Sequence, residues 1–241
     1  MMTNHQKKFI VSLKQKKFRI QHGSFVVEGV KMVEELLRSD YEVELIVATP
    51  SWENKYQIPG IIEVTDKELA ALSSLRTPHQ VLAVVKKKEA VAPPNFEHLT
   101  IVLDNVQDPG NLGTIIRTAD WFGVKDIVCS ENCVEVYNPK VIQATMGSFF
   151  RVNVLYDNLS DFLSRNKDLT VYGACLEGES IYKKTLSKSK SVLLMGNESQ
   201  GISKELSPFI NEQITIPRVG QAESLNVAVA TAIFCAEFSR K

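Results

Sequence analysis

The chain has 241 residues, and 44% of them are hydrophobic, which is enough for one large domain or two modest ones with a substantial core. Lysine plus arginine and aspartate plus glutamate number 28 each, so the formal net charge is zero. This balance argues against a protein that coats nucleic acid through its overall charge, and any contact of that kind must be regional.

The N-terminal stretch MMTNHQKKFIVSLKQKKFRI lacks the continuous apolar segment of a signal peptide, because lysine interrupts it every few positions. The longest apolar run, Val227 to Phe238, is well short of the roughly 18 to 20 residues needed to cross a bilayer. We therefore expect neither a secretory leader nor a membrane partner.

Basic side chains cluster near the start of the chain. They are Lys7, Lys8, Lys14, Lys16, Lys17 and Arg19. Such a run forms either a solvated helix face or a phosphate-binding surface, and composition alone favours the solvated face.

Between Phe25 and Lys88, short β-rich runs alternate with helical ones, as in FVVEG, KMVEELLRS, VELIVAT and QVLAVVKKK. This alternation predicts a small α/β domain. The adjacent Pro93 and Pro94 cannot continue a helix or a central strand, which places a linker there. We predict a first domain at residues 1–91, a linker at 92–98 and a second domain at 99–241.

The second domain alternates helices with near-continuous apolar runs. These runs are LTIVLDNV, DIVCS, FFRVNVLY, TVYGACL, SVLLMGNE and EQITIP. Such runs are typical of a parallel sheet that is buried on both faces. Ligands of these sheets bind beyond the carboxyl ends of the strands, so loops that are distant in sequence can line one cleft.

The stretch LDNVQDPGNLGTIIRTADWFG, from Leu103 to Gly123, follows the first of these runs. Its pattern predicts a turn through DPG and then an amphipathic helix with Asn111 as the N-cap and Arg117 two turns in. A dinucleotide-binding turn needs G-x-G-x-x-G, and DPGNLG does not have that spacing. A nicotinamide-dependent oxidoreductase is therefore disfavoured.

The four cysteines include no C-x-x-C pair and no histidine at ligand spacing. They are Cys129, Cys133, Cys175 and Cys235. We expect reduced, mostly buried thiols, no metal site and a cytoplasmic protein.

Three short motifs occur in order along the second domain. The first comprises Asn105, Asp108, Pro109, Asn111, Gly113, Arg117, Thr118 and Ala119. The second comprises Gly196, Asn197, Glu198 and Gly201, and the third comprises Ile216, Pro217, Ser224, Leu225, Asn226 and Val227. Together they resemble the motifs of the SpoU/TrmH family of RNA ribose 2'-O-methyltransferases. The family usually has serine where this chain has Ala228, a difference outside the polar residues of the motifs.

The resemblance implies an α/β methyltransferase domain with a deep trefoil knot, a homodimer packed partly through the C-terminal helix, and S-adenosylmethionine as cofactor. That helix would carry Leu225, Val229, Ala232, Ile233 and Phe234 on its apolar side. The resemblance also implies an N-terminal domain for RNA recognition. Its more loosely matching residues are Arg19 and the Val27, Glu28, Gly29 stretch, although Gly29 could equally be a simple turn.

The same resemblance implies a site made of polar and small residues from all three motifs. Its catalytic residues would be Asn111, Arg117, Glu198, Ser224 and Asn226, and its cofactor-binding residues would be Gly196, Ile216 and Leu225. A guanidinium is always charged, so for Arg117 we favour binding of an RNA phosphate over proton abstraction. The structural alternative for Arg117 is an ion pair, for example with Glu198.

The leading hypothesis is therefore 2'-O-methylation of a ribose in structured RNA, with ribosomal RNA favoured over transfer RNA. A tRNA ribose 2'-O-methyltransferase and a non-catalytic RNA-binding relative are the alternatives. The catalytically silent alternative is disfavoured, because every polar position of the three motifs is present.

Overall fold

A computed structural model describes residues 2–88 and 92–240. The chain forms two compact units, Met1–Ala90 with Tyr137–Phe150, and Val91–Val136 with Arg151–Lys241. Residues 137–150 therefore group with the first unit, although they lie far along the sequence. The domain end predicted near Val91 lies outside the described residues.

The described helices and strands alternate along most of the chain. The helices are α1 (Asn4–Ser12), α2 (Lys16–His22), α3 (Val30–Leu37), α4 (Asp66–Leu72), α5 (Pro109–Trp121), α6 (Pro139–Thr145), α7 (Leu159–Arg165) and α8 (Val227–Ser239). The strands are β1 (Ser24–Glu28), β2 (Val43–Ala48), β3 (Ile62–Glu63), β4 (Val81–Lys86), β5 (Thr100–Leu103), β6 (Asp126–Ser130), β7 (Asn153–Asp157), β8 (Thr170–Ser180), β9 (Ser191–Met195) and β10 (Glu212–Thr215).

The first unit is built on a four-stranded sheet of order β1-β4-β2-β3. Strand β4 runs antiparallel to both β1 and β2, and β3 runs parallel to β2. Helices α1 and α4 each begin with a capping box, Thr3 with Gln6 and Thr65 with Glu68, which satisfies backbone donors of the first turn. The small α/β domain predicted from the sequence is confirmed.

Part of the N-terminal basic cluster has a structural role. Arg19 is 3% exposed and its Nη1 donates to the carbonyl oxygens of Leu13 and Lys14, both at 2.9 Å. The Lys7 Nζ lies 2.8 Å from Glu68 Oε1, and this hydrogen bond, together with those from Thr65, lowers the pKa of Glu68 to about 2. Arg19 and Lys7 therefore bind other parts of the first unit.

The V-E-G stretch also has local partners. The Glu28 carboxylate is buried and accepts hydrogen bonds from the Ser73 hydroxyl and, at 2.9 Å, from the Ser74 amide. Gly29 precedes α3 with φ of 96°, a conformation that favours glycine. Both residues thus have a folding role within the first unit, whatever else they do.

An aromatic cluster attaches residues 137–150 to the rest of the first unit. Its rings belong to Phe25, Tyr41, Tyr137, Phe149 and Phe150. The ring centroids of Phe25 and Tyr137 are 4.8 Å apart, and those of Tyr41 and Phe150 are 5.5 Å apart. Buried aromatic pairs of this kind contribute to stability beyond their buried area.

The second unit contains a six-stranded sheet of order β10-β8-β9-β5-β6-β7, and all its described pairs are parallel. The predicted parallel sheet and its six strands are confirmed. In the FFRVNVLY run, however, residues 148–150 form a 3-10 turn and the strand begins at Asn153. The carboxyl ends of β5 and β9 are neighbours, because Leu103 lies opposite Met195.

Helix α8 packs against α5 beside this sheet. It begins at Val227, so Leu225 lies before the helix and not on its apolar side as predicted. Phe234 is buried in the unit, whereas Val229 is half exposed. The trefoil knot stays a prediction.

Candidate active site

Helix α5 starts at the carboxyl edge of the sheet with a strong N-terminal signal. The Asp108 Oδ1 accepts a hydrogen bond from the Asn111 amide at 2.9 Å, and Pro109 occupies the first turn, where no N–H is needed. The prediction that Asn111 is the N-cap is therefore wrong, because Asp108, three residues earlier, already caps the helix. The Asn111 side chain is left available for other partners.

Asn111 connects all three motifs through two hydrogen bonds. Its Nδ2 donates to Glu198 Oε1 at 2.6 Å, and its Oδ1 accepts from Asn226 Nδ2 at 2.9 Å. Residues more than eighty positions apart in sequence thus form one chain of hydrogen bonds, which we call the amide relay (Asn226, Asn111 and Glu198). Three of the five predicted catalytic residues are brought together in this way.

The direction of the amide relay is fixed by the start of α8. Asn226 is the N-cap, and its Oδ1 accepts from the amides of Ala228 and Val229 at 2.9 and 3.3 Å. Its Nδ2 must therefore donate to Asn111, whose own Nδ2 then faces the Glu198 carboxylate. The side-chain amide orientations of Asn226 and Asn111 thus follow from the backbone N–H groups of α8, which can only donate hydrogen bonds.

The loop after β9 presents Glu198 from a tight turn. The Asn197 and Gly201 backbones form a bridge, and the Asn197 Nδ2 donates to the Asn105 carbonyl oxygen at 2.9 Å. A Cβ on Gly196 would collide with the backbone of Gly201 and Ile202. Gly196 is thus required by the loop itself, in addition to any contact with a cofactor.

Asp104 ties the first and second loops together, and sequence reasoning missed it. Its carboxylate is 6% exposed and accepts a hydrogen bond from the Ser203 amide at 2.7 Å, while its own amide donates to the Met195 carbonyl oxygen at 2.9 Å. A charged residue directly after the buried run LTIVL was the signal that could have identified it. Asp104 therefore joins the loop that follows β5 to the loop that follows β9.

The Cys133 side chain contacts the backbone of the loop that follows β5. Its Sγ accepts from the Val106 amide at 3.2 Å and lies 3.3 Å from the Leu103 carbonyl oxygen. Hydrogen bonding with the Cys129 thiol, helped by Ser130 and the Val106 amide, lowers the pKa of Cys133 to about 7, whereas the same contact and burial raise the pKa of Cys129.

All four cysteines of the chain are free thiols, and no group of potential metal ligands occurs within residues 2–88 and 92–240.

Arg117 lies on the exposed side of α5. It has no hydrogen bond or ion pair with any residue that the structure describes, and the carboxylate of Glu198 bonds Asn111 instead. The structural alternative, an ion pair between Arg117 and Glu198, is therefore absent from this structure. A solvent-facing guanidinium on the helix that carries Asn111 can bind an anion.

The predicted cofactor residues lie on loops at the carboxyl edge of the sheet. Gly196 follows β9, Ile216 follows β10, and Leu225 precedes α8 with 46% of its surface exposed. Within the described chain, the backbone of residues 217–225 makes no hydrogen bond to another backbone group. Ser224 is exposed in this loop, so its hydroxyl is available to a ligand.

None of the described helices combines the length and the apolar character that a membrane crossing requires.

Comparison with known proteins identifies both parts of the chain. Residues 98–236 match the SpoU rRNA methylase family, and residues 4–83 match the MRM3-like substrate binding domain. The chain is 33% identical over 230 residues to the 23S rRNA (guanosine(2553)-2'-O)-methyltransferase RlmP of Bacillus subtilis, covering 92% of this chain and 90% of that one.

Two solved structures are similar over nearly the whole chain. A TrmH-family protein from Porphyromonas gingivalis superposes with a TM-score of 0.90 at 38% identity, covering 99% of this chain and 98% of that one. An AdoMet-bound rRNA methyltransferase from Sinorhizobium meliloti gives a TM-score of 0.88 at 32% identity, covering 99% and 95%.

Proposed function

Because the chain belongs to the SpoU rRNA methylase family, we propose that it methylates a ribose 2'-hydroxyl in ribosomal RNA. It is an RNA methyltransferase that uses S-adenosylmethionine. The observation that carries the proposal is the amide relay, which joins the three family motifs through Asn111, a residue of the same helix as Arg117. The relative from B. subtilis, named as a 23S rRNA 2'-O-methyltransferase, supports the choice of RNA and of acceptor atom.

The loops after β9 and β10 suit the nucleoside of the cofactor. Ile216 and the exposed Leu225 offer apolar surface for an adenine, and the backbone of residues 217–225, which makes no described hydrogen bond to other backbone groups, offers donors and acceptors for its polar edge. Gly196 allows the backbone of Gly201 and Ile202 to approach it closely, which a side chain would prevent. The bound cofactor supplies an already activated methyl group, so the protein must chiefly align the two reactants.

Arg117 is proposed to act on the acceptor side of the reaction. Its guanidinium stays charged at any working pH and can bind a phosphate oxygen of the target nucleotide through two parallel N–H donors. A positive charge held next to the ribose also stabilises the developing negative charge on its 2'-oxygen. Because Arg117 has no partner among the described residues, no ion pair must break before RNA binds.

The remaining polar residues are proposed to orient the ribose. Asn111 is held by Glu198 on one side and by Asn226 on the other, so its position is fixed before substrate arrives. The exposed Ser224 hydroxyl, two residues before Asn226, can donate to or accept from a ribose hydroxyl. Such preorganisation lowers the reorganisation needed to reach the transition state.

We propose that the first unit recognises the RNA. Its match to a substrate-binding domain supports this role. Lys8, Lys16 and Lys17 are the exposed members of the N-terminal basic cluster and are the residues available for phosphates. Recognition of structured RNA through shape and backbone contacts is consistent with a neutral protein that bears a local basic region.

We further propose a cytoplasmic homodimer that contacts its copy partly through α8. Val229 on this helix and the adjacent Leu225 are half exposed apolar side chains, which a second copy would cover. Sedimentation equilibrium should give twice the monomer mass, and a monomer at micromolar concentration would contradict the proposal.

The decisive experiment measures transfer of labelled methyl groups from S-adenosylmethionine to RNA from a strain that lacks the enzyme. We expect label in ribosomal RNA, resistance of the neighbouring phosphodiester bond to alkali, and no label with Arg117→Ala. Label confined to transfer RNA would replace the proposed substrate by the alternative one. Absence of label in any RNA, with cofactor bound, would indicate a non-catalytic RNA-binding protein.

A further inference from the structure

Helix α5 has a solvent-exposed face that the proposed reaction uses only in part. Its members, spaced three or four residues apart, are Gly110, Thr114, Arg117 and Trp121. Trp121 is 84% exposed, although tryptophan is normally among the well buried side chains. The ring has no aromatic or cation contact with any residue that the structure describes.

Trp121 stands one helical turn after Arg117. Side chains four residues apart on a helix are neighbours, with Cβ atoms about 5 to 6 Å apart. The face therefore presents, side by side, a cation that pairs with no carboxylate of the described residues and an exposed aromatic ring. A nucleotide has the complementary pair of groups, an anionic phosphate and a flat base.

We propose that Trp121 stacks on an unpaired base of the RNA substrate while Arg117 binds the adjoining phosphate. This inference rests on the proposed RNA methyl transfer and adds a specificity-determining residue to it. It assigns the target ribose to a single-stranded or splayed region, because a base inside a duplex cannot reach a side chain in this way.

RNA fits this face better than a second protein chain does. Trp121 is the only large apolar side chain on the exposed face of α5, and its neighbours there are small or polar. The adjacent Asp120 carboxylate is held by Arg151 at 2.8 Å, so it is not presented to neutralise Arg117. A phosphate supplies that neutralisation directly.

The chain provides its own fluorescent probe. It contains two tryptophans, and Trp52 is 7% exposed. In a Trp52→Phe background the emission comes from Trp121 alone. We expect single-stranded oligoadenylate to quench this emission strongly, and duplex RNA of the same length to quench it weakly, because only unpaired bases can stack.

Kinetics on ribosomal RNA provide the second test. Trp121→Ala should raise the KM for RNA about tenfold, as expected for loss of one stacked base, with kcat and cofactor affinity little changed. Trp121→Phe should retain most of the affinity. Leu176→Ala, which removes another highly exposed apolar side chain from the same unit, should leave all parameters unchanged.

Two results would overturn the inference. An unchanged KM for Trp121→Ala, with the wild-type enzyme active, would show that the ring does not contact RNA. Trp121 emission that changes on dilution without RNA, together with dissociation of a dimer by Trp121→Ala, would assign the face to a second copy. Absence of methyl transfer by the wild type would refute the proposed function instead. Quenching of Trp121 emission by oligoadenylate would still test whether Trp121 stacks on unpaired bases.

Discussion

Replacement of Arg117 separates a catalytic role from a structural one. The side chain is exposed and has no partner among the described residues, so Arg117→Ala should change the free energy of unfolding by less than about 0.5 kcal/mol. For a chain of this size that corresponds to a shift in melting temperature of about 2 °C or less. Loss of one preorganised charge contact in the transition state, by contrast, typically costs about 100- to 1000-fold in kcat.

Three assays on the same preparations test this expectation. Methyl transfer to ribosomal RNA should fall by at least about 100-fold. The affinity for S-adenosylhomocysteine, measured by titration calorimetry, should stay close to wild type, because the proposed contact of Arg117 is with RNA. Thermal unfolding should be unchanged.

Arg117→Lys refines the test, since it retains the charge and loses the planar fork that binds phosphate through two bonds. We expect its activity to remain low. Near-normal turnover of both variants would refute the catalytic assignment. A fall in melting temperature beyond about 4 °C, equivalent to more than about 1 kcal/mol, would show that Arg117 has a structural partner in solution.

Four further changes test the surrounding structure. Asn111→Ala should lower stability by about 0.5 to 1.5 kcal/mol, measured by denaturant unfolding, and also reduce kcat, because it removes the hydrogen bonds to Glu198 Oε1 and from Asn226 Nδ2; unchanged stability would contradict the amide relay. Gly196→Ala should lower melting temperature and cofactor affinity together, since its Cβ meets backbone, and a loss of affinity alone would indicate a role only in the pocket. Asp104→Asn should weaken the bond from the Ser203 amide and raise the KM for the cofactor, whereas a wild-type KM would show that this contact does not position the second loop. A chain of residues 95–241 should bind 8-anilinonaphthalene-1-sulfonate and melt early, because it loses the aromatic partners of segment 137–150; a stable, fully active truncation would also remove the proposed role of the first unit in recognition.

The fold was largely predictable because local patterns and long-range pairing agree. Short uninterrupted apolar runs such as SVLLM and DIVCS, set between helical segments, are typical of strands buried on both faces, and both occur at the predicted positions. The start of the strand in the FFRVNVLY run was predicted too early, because the run is equally apolar at both ends. Phe149 and Phe150 are buried by rings of the first unit and not by strand neighbours, which periodicity cannot distinguish.

The contact among the three motifs was predictable, whereas its hydrogen bonds were not. The resemblance to the SpoU/TrmH family placed Asn111, Glu198 and Asn226 in one predicted site, and the structure joins their side chains, but the competition between Asp108 and Asn111 for the N-cap depended on side-chain geometry. Asp104 was missed because a single carboxylate after a strand has many explanations, and its partner, Ser203, lies 99 residues away. Exposure of Trp121 likewise became visible only when the orientation of α5 was known.

The division of the chain into two units has a consequence for synthesis on the ribosome. The first unit includes residues 137–150, so it cannot finish folding when only its N-terminal segment has left the ribosome. Until Phe149 and Phe150 are translated, Phe25 and Tyr41 lack part of their aromatic cover. The nascent N-terminal segment therefore exposes apolar surface until residues 137–150, which lie within the methyltransferase region of the sequence, have been synthesised. We expect chaperones to bind the segment during that interval.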